Sequence, residues 1–239
     1  MDKQSNAYTF TFAVIVCVVS GVMLSAFSEG LRKQQELNAE LDVKKNILKA
    51  VVLKDPIASK TPILEVLKIY TDKIIEIVVD DNGAVVEGKK PEQLTDKDNN
   101  LHPVYLYKEG DQVLAYAIPV VGQGLWSTMY GYLALESDGV TIRGITFYKH
   151  GETPGLGGEI EKEWFQANFK GKTIYSLKDQ KLTPIVVARG KAAGQFKGEE
   201  SNYHVDGITA ATLTGAGVTD MMNKWLHIYE PYFAKIRKG

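Results

Sequence analysis

The hydropathy pattern begins with an uncharged apolar run from Tyr8 to Phe27, and no charged residue occurs between Lys3 and Glu29. A helix rises about 1.5 Å per residue, so a run of this length covers about 30 Å, the thickness of a bilayer core. A cleaved signal peptide is the alternative, but its apolar region is normally about 7–15 residues and ends at a small-x-small site. This run is longer and has no clear cleavage site. We therefore predict a retained transmembrane anchor over residues 1–28.

The next segment is charged and carries a narrow apolar stripe, a pattern typical of an amphipathic helix. The helix is predicted from Glu29 to Leu53, and Pro56 is expected to close it because proline does not continue a helix. Its stripe consists of Leu37, Leu41, Leu48 and Val52. Residues 29–60 are therefore predicted to connect the anchor to a separate domain, residues 61–239.

The domain is predicted to open with a helix and to continue with strands. Thr61-Pro62 is a good helix start, since proline suits the first helical position, and the helix should run to about Asp72. Alternation then predicts one strand and two hairpins. The predicted strands are Lys73–Asp80, Val104–Tyr107, Gln112–Val120, Tyr130–Glu136 and Val140–Tyr148. Because hairpins dominate over strand–helix–strand units, the predicted fold is α+β, an antiparallel sheet with packed helices, preceded by one transmembrane helix.

The C-terminal part is predicted to add a helix over Glu159–Phe169, a short strand over Leu182–Ala188 and a final helix. Thr214 is the predicted N-cap of the final helix, with glycines in its first turn. Apolar residues then recur at near-3.6 spacing, namely Val218, Met221, Met222, Trp225, Leu226, Ile228 and Tyr229.

Composition and charge exclude several classes of protein. The 239 residues carry a net charge of −1, so no basic surface indicates a nucleic-acid partner. The single cysteine, Cys17, lies in the apolar run, which excludes an intramolecular disulfide and a multi-cysteine iron–sulfur or zinc cluster within this chain. The four histidines show no metal-ligand spacing.

The most informative segment for chemistry is DGITAATLTG, Asp206 to Gly215, which places three hydroxyls just before the final helix. A helix N-terminus exposes unpaired N–H groups and the positive end of the helix dipole, so it suits a phosphate. The hydroxyls belong to Thr209, Thr212 and Thr214, and small residues between them leave room for a bulky group. The alternative is a threonine-rich first turn of an ordinary helix, with no cofactor.

Two glycine-rich loops follow predicted strand ends, VGQGLWST from Val121 to Thr128 and HGETPGLGGEI from His150 to Ile160. Glycines permit close approach of the backbone to a ligand, and Trp126 can stack on a planar ring. Each loop taken alone also fits a plain connection between strands. Neither loop fits a Walker loop or a dinucleotide fingerprint.

Taken in order, these three blocks resemble the FMN-binding domain family. The resemblance implies that Thr212 is joined to the FMN phosphate through a phosphodiester, within a motif that includes Asp206, Thr209 and Ala211. Ala210 stands where the family often has glycine. The resemblance also implies a set of residues that border the isoalloxazine ring and ribityl chain, namely Trp126, Glu152, Thr153, Leu156 and Gly157.

The segment Gly30 to Leu48, GLRKQQELNAELDVKKNIL, resembles the family of C subunits of sodium-translocating NADH:quinone reductases. That resemblance implies an electron-transfer subunit in a membrane complex, with the other subunits, membrane lipid and a flavin transferase as partners. Two alternatives stay open: the G subunit of an Rnf-type ferredoxin:NAD complex, and a membrane-anchored assembly module with no redox role.

The resemblance further implies a single-pass protein of the bacterial inner membrane with its flavin domain on the outer face. The charges near the anchor do not decide this orientation. Lys3 lies before the apolar run and Arg32 and Lys33 lie just after it, so the positive-inside rule gives nearly a tie.

Overall fold

The computed structural model describes residues 6–52, 62–95, 97–176 and 178–238. The chain divides into two compact units, Met1–Val43 and Lys44–Gly239. The first helix, α1, runs from Asn6 to Val51 and so belongs to both units. The domain boundaries predicted at residues 28 and 60 stay predictions, because α1 continues through the first of them and the second lies outside the described residues.

The first unit consists of α1 up to Val43, and its apolar side chains are exposed throughout the run that begins at Phe10 and ends at Phe27. Among the described residues, α1 is the one helix that is long and apolar enough to cross a membrane. The predicted anchor and the predicted amphipathic helix are thus two parts of one continuous helix. Pro56, which was expected to close it, lies outside the described residues.

The second unit is built on a five-stranded antiparallel sheet in which the strands follow sequence order. A short helix, α2 (Ile63–Lys73), leads into the first strand. The strands are β1 (Ile74–Asp80), β2 (Leu101–Glu109), β3 (Gln112–Gln123), β4 (Thr128–Glu136) and β5 (Ile142–Lys149). The predicted α+β class and both hairpins are confirmed. The strands β2, β3 and β4 are longer than predicted, whereas β1 and β5 are each one residue shorter.

One face of the sheet packs against the long C-terminal helix α4 (Thr212–Ile236). Side chains alternate along each strand, so Ile118, Leu133 and Phe147 all point to this face and form the core together with α4. The predicted apolar stripe of the final helix forms the helical side of this core. Its residues Val218, Met222, Leu226 and Tyr229 are fully buried.

The end of α1 covers the opposite face of the sheet. Ile47, Leu48 and Val51 are fully buried. The Thr146 hydroxyl donates a hydrogen bond to the Asn46 carbonyl at 3.4 Å, and Arg143 Nε donates to the Val51 carbonyl. The sheet therefore lies between two helical layers, α4 on one side and the last turns of α1 on the other.

The segment after β5 differs from prediction. In place of one helix over 159–169, a 3₁₀ turn at Gly157–Glu161 is followed by a short helix, α3 (Glu163–Ala167). The two are separated by Lys162, whose extended backbone (φ −81°, ψ 144°) breaks the helical path.

The predicted strand 182–188 is in fact two short strands that belong to different sheets. Pro184, which has no N–H to donate, lies between them. The first, β7 (Lys181–Leu182), pairs antiparallel with β6 (Tyr175–Ser176). The second, β8 (Val186–Val187), pairs parallel with β9 (His204–Val205). The second pair leads directly into the DGITAATLTG segment.

We predict that the end of α1 is part of the folded domain. Deleting residues 1–28 should leave a soluble chain, and in that chain Leu48→Ala should lower the free energy of unfolding by about 2–5 kcal/mol, as is typical of a buried leucine. Urea unfolding measures this. Leu37→Ala is the matched control, because Leu37 is 47% exposed and its loss should cost no more than about 0.5 kcal/mol. Equal effects of the two substitutions would contradict the packing described here.

Candidate functional site

Three segments meet at one edge of the sheet: the turn 124–127 between β3 and β4, the loop that follows β5, and the first turns of α4. Tyr130, near the start of β4, pairs with Lys149 at the end of β5, so the turn and the loop leave the sheet side by side. The helix comes very close to the turn, since a Cβ added at Gly217 would lie 2.2 Å from the carbonyl oxygen of Gln123. These are the three segments that the sequence singled out.

The side chain of Glu152 joins the three segments. It extends from the loop after β5 and is only 5% exposed. Its two carboxylate oxygens accept four hydrogen bonds, from the backbone N–H groups of Leu125 (3.2 Å), Trp126 (2.9 Å) and Ser127 (3.2 Å) and from the hydroxyl of Thr214 (2.6 Å). One carboxylate thus binds both the turn and the first turn of α4.

These hydrogen bonds keep Glu152 ionised although it is buried. Burial by itself raises the pKa of a carboxyl group, because it penalises the charged form. Here the donated bonds, led by that from Thr214, outweigh burial, and the pKa of Glu152 falls below its ordinary value. The charge is therefore fixed in place at neutral pH.

Gly157 leaves the space that this arrangement needs. A Cβ at this position would lie 2.5 Å from the Thr214 hydroxyl oxygen and 2.8 Å from Glu152 Oε2. Both distances are far shorter than a normal contact, so any larger residue would displace the buried hydrogen bond. The predicted importance of Gly157 thus has a local reason that is independent of any ligand.

Four exposed apolar side chains belong to residues that bond to this carboxylate through their backbone or precede Gly157 or Thr214 in the chain. We name them the apolar platform: Leu125, Trp126, Leu156 and Leu213, with exposed fractions of 46%, 69%, 40% and 63%. Trp126 and Leu156 were predicted from the sequence, whereas Leu125 and Leu213 were missed. The sequence contained a sign of their exposure, since each of these two leucines is an isolated aliphatic residue in one of the three segments. Exposed apolar side chains on segments that meet at one carboxylate can offer a surface for a planar apolar group.

The three threonine hydroxyls of DGITAATLTG have different surroundings. Thr212 is exposed and is the first residue of α4. Thr209 is also exposed, in a tight turn closed by a hydrogen bond from Ala211 N–H to the Ile208 carbonyl at 3.2 Å. Thr214 is 1% exposed and donates its hydroxyl to Glu152. The predicted N-cap role of Thr214 is therefore wrong, because the N-cap position belongs to Ala211.

The N-terminus of α4 suits an anion. Ala211 has no side chain that could cap the helix, and the first turn contains no acidic residue. The N–H groups of the first turn therefore have no side-chain partner of the usual kind at the N-cap, and the positive end of the dipole is not offset by a carboxylate of that turn. A phosphate on the Thr212 hydroxyl would lie beside these donors.

A cavity of about 420 Å³ opens beside Thr212. Its walls are β8 with the residues that follow it, the segment 207–212, and the face of α4 that carries Gly215 and Thr219. Gly207 allows two of these walls to pack closely together, since a Cβ there would lie 2.0 Å from the Ala188 carbonyl oxygen. Thr209, Ala211 and Thr212 of the predicted site all line the cavity.

Asp206 directly precedes the segment 207–212 and is not among the residues that line the cavity. Its carboxylate pairs with Lys191 Nζ at 2.7 Å and accepts the Ala192 N–H at 2.8 Å. Burial raises the pKa of Asp206, but the bonds from Lys191 and Ala192 outweigh it, so the pKa lies below its ordinary value. Asp206 therefore fixes the loop that carries Lys191 against the start of the motif.

Most of the predicted site residues form two groups near the start of α4. One group, with Thr209, Ala211 and Thr212, lines the cavity. The other consists of the buried Glu152, of Trp126 and Gly157, which contact it, and of Leu156, which precedes Gly157. Thr153 is exposed, and its carbonyl accepts hydrogen bonds from Leu156 N–H (3.1 Å) and Gly158 N–H (2.9 Å), which shapes the loop. Each of these residues stays a predicted cofactor neighbour. The uncapped helix, the exposed hydroxyl and the platform together fit a phosphate-bearing planar group.

Comparison with known proteins connects this geometry to a family. Residues 124–227 match the family model described as FMN-binding domain. This range begins in the turn that carries Trp126 and ends within α4, so it covers all three segments. The C subunit of the Na(+)-translocating NADH-quinone reductase of Vibrio campbellii is 34% identical, with 100% of this chain and 99% of that protein covered. The protein of the same name from Pseudomonas aeruginosa is 31% identical, with 100% and 98% covered.

Two solved structures have the same fold as this chain. The crystal structure of the same C subunit from Parabacteroides distasonis is similar, with a TM-score of 0.72 and 30% identity over 85% of this chain and 96% of that chain. The structure of Shewanella oneidensis NqrC shares the fold, with a TM-score of 0.65 at 24% identity over 84% of this chain and 100% of that chain. Both the full-length identity and the fold lead to one conclusion: this chain belongs to the family of C subunits of the Na(+)-translocating NADH-quinone reductase.

Proposed function

We propose that this chain is the electron-transfer subunit of a sodium-pumping NADH:quinone reductase and that it carries FMN joined to Thr212 through a phosphodiester. The FMN-binding domain match and the full-length relatives named as the C subunit of that reductase support the cofactor and the complex. The observation that carries the covalent link is the position of Thr212, an exposed hydroxyl on the first residue of an uncapped helix, beside a cavity.

The surroundings of the three hydroxyls favour Thr212 over its neighbours. The Thr214 hydroxyl is buried and already donated to Glu152, so an enzyme that adds a flavin cannot reach it. Thr209 is exposed but precedes Ala210, whose φ of 57° turns the chain before the helix begins. A phosphate on Thr212 lies closest to the N–H groups of the first turn of α4.

In this proposal the protein holds FMN and orients its ring. When bound, FMN supplies the redox chemistry that side chains lack. The first turn of α4 is the proposed seat of the phosphate, and the apolar platform is the proposed neighbour of the ring. Glu152 donates no proton in this proposal, because its oxygens are occupied by four hydrogen bonds and its pKa is lowered by them.

Two other functions fit the sequence motifs taken alone, the G subunit of an Rnf-type complex and an assembly module without a redox role. Identity along the whole chain to proteins named as the C subunit of the quinone reductase favours the first function over both. The other subunits of the reductase are accordingly its partners. A flavin transferase is the proposed partner during maturation, and membrane lipid is proposed to surround the apolar part of α1.

Thr212→Ala is expected to abolish covalent attachment of FMN, because the acceptor hydroxyl is lost, while the chain stays folded. The measurement is mass spectrometry of the intact chain produced with a flavin transferase, together with flavin fluorescence on a denaturing gel. Thr209→Ala is the matched control and should keep the flavin. A flavin that survives in Thr212→Ala but disappears in Thr209→Ala would identify a different acceptor.

Trp126→Ala is expected to change the flavin absorption envelope or its reduction potential without preventing attachment, since a lost ring contact alters the cofactor's surroundings. The matched control is Trp164→Ala, because Trp164 is also exposed (44%) but lies outside the platform, where its indole bonds to Glu159 at 2.9 Å. An unchanged spectrum and potential in Trp126→Ala would separate Trp126 from the flavin.

The flavin domain is expected on the outer face of the inner membrane. Long domains are translocated largely regardless of flanking charge, so the near tie around the apolar part of α1 does not oppose this orientation. A reporter active only in the cytoplasm, fused after Gly239, should be silent, and the same reporter fused before Met1 should be active. The opposite pair of signals would reverse the proposed topology.

A further inference from the structure

We propose that Thr214 and Glu152 are positioning residues that hold the apolar platform in a fixed place beside Thr212. This inference rests on the proposed function, in which Thr212 carries the flavin. It assigns a purpose to the third threonine of DGITAATLTG, which is two residues away from the acceptor and cannot itself be modified while it is buried.

The argument begins with the cost of the buried charge. An ionised carboxylate that is removed from water is strongly destabilised unless donors replace the water. Glu152 has such donors on both oxygens: Oε1 accepts from Trp126 and Ser127, and Oε2 accepts from Leu125 and Thr214. The carboxylate is stable only while the turn 124–127 and the start of α4 are both in place.

The bond from Thr214 has a particular role in this set. The three backbone bonds tie Glu152 to the turn that carries Leu125 and Trp126. The hydroxyl bond, at 2.6 Å the shortest of the four, ties the same carboxylate to α4, on which Thr212 is the first residue. Thr214 is therefore a direct hydrogen-bonded link, through Glu152, between the helix that carries the proposed acceptor and the turn that carries the indole of Trp126.

Packing leaves this link little freedom. Gly157 places its backbone against both partners, since an added Cβ would lie within 2.8 Å of each. A Cβ at Gly124 would lie 2.5 Å from Glu152 Oε1, so the turn is equally close on the other side. Leu156 and Leu213 are the chain neighbours of Gly157 and Thr214. Leu125 and Trp126 thus bond to Glu152 through their backbone, Leu156 precedes Gly157, which contacts the pair, and Leu213 precedes Thr214 itself.

The first test needs no flavin. Thr214→Val keeps the shape of the side chain and removes the hydroxyl, which leaves Oε2 with one donor fewer. Because a hydrogen bond to a charged group is among the stronger ones, the amide hydrogens of residues 125–127 should exchange about tenfold faster or more. Thr214→Ser, which restores a hydroxyl, should return exchange to the parent rate. Exchange is followed by NMR on the full chain in detergent.

Thr146→Val is the matched control for general loss of stability. Thr146 is also a buried threonine (4% exposed), and its hydroxyl donates to a backbone carbonyl, but it lies on the face of the sheet covered by α1. Exchange at residues 125–127 should stay at the parent rate in this variant. A similar acceleration in Thr146→Val and Thr214→Val would show that the effect is global and would overturn the positioning role.

The second test uses the full chain produced with a flavin transferase. Thr214→Val should keep flavin on Thr212, as determined by peptide mass spectrometry, and should shift the visible absorption and the midpoint potential of that flavin. Thr214→Ser should restore both. An attached flavin with parent spectrum and potential, or a folded Thr214→Val chain with no attached flavin, would each overturn the proposal. If Thr214→Val does not fold, Glu152→Gln is judged by the same criteria.

The two proposals fail in different ways. A parent chain with no flavin, or with flavin on another residue, contradicts the proposed function, and the exchange experiment still decides whether Thr214 and Glu152 fix the turn. Faster exchange in Thr214→Val with rescue by serine supports the link even then. Unchanged exchange overturns it even when flavin is found on Thr212.

Discussion

The arrangement of the site depends on one buried carboxylate. Glu152 can stay charged in the interior only because four donors from two separate segments replace its water. This requirement acts on the fold as a constraint, since any movement that separates the turn from α4 leaves a charge without partners. Gly157 and Gly124 lie so close to this group that neither has room for a side chain. The exposed side chains of the platform then follow from the backbone positions that the constraint allows.

The sheet carries this site between two helical layers. α4 forms the layer on one face and also supplies Thr212 at its first residue, so the core that stabilises the domain and the proposed attachment point belong to one helix. The last turns of α1 form the other layer, and Arg143 donates to the carbonyl of Val51 at the end of that helix.

Local patterns predicted much of this structure. The hairpins were found because alternation and Gly-containing turns act over a few residues, and the stripe of α4 was found because its period is local. The burial of Ile47 against the sheet was missed, since the partner strand β5 lies about a hundred residues later in the chain. The strand predicted over 182–188 failed at Pro184, which removes a donor in the middle of it. Thr214 was misread as a cap because its true partner, Glu152, is 62 residues away.

The contrast between Thr212 and Thr214 has a consequence for regiochemistry. In an unfolded chain the three hydroxyls of the motif differ little in reactivity, whereas in the folded chain one of them is masked by a carboxylate, much as a protecting group masks an alcohol in synthesis. In the proposed attachment of FMN, the burial of Thr214 would let the fold take part in the choice among the hydroxyls. This protection exists only once α4 has docked on the sheet, since the Glu152 partner comes from the loop after β5.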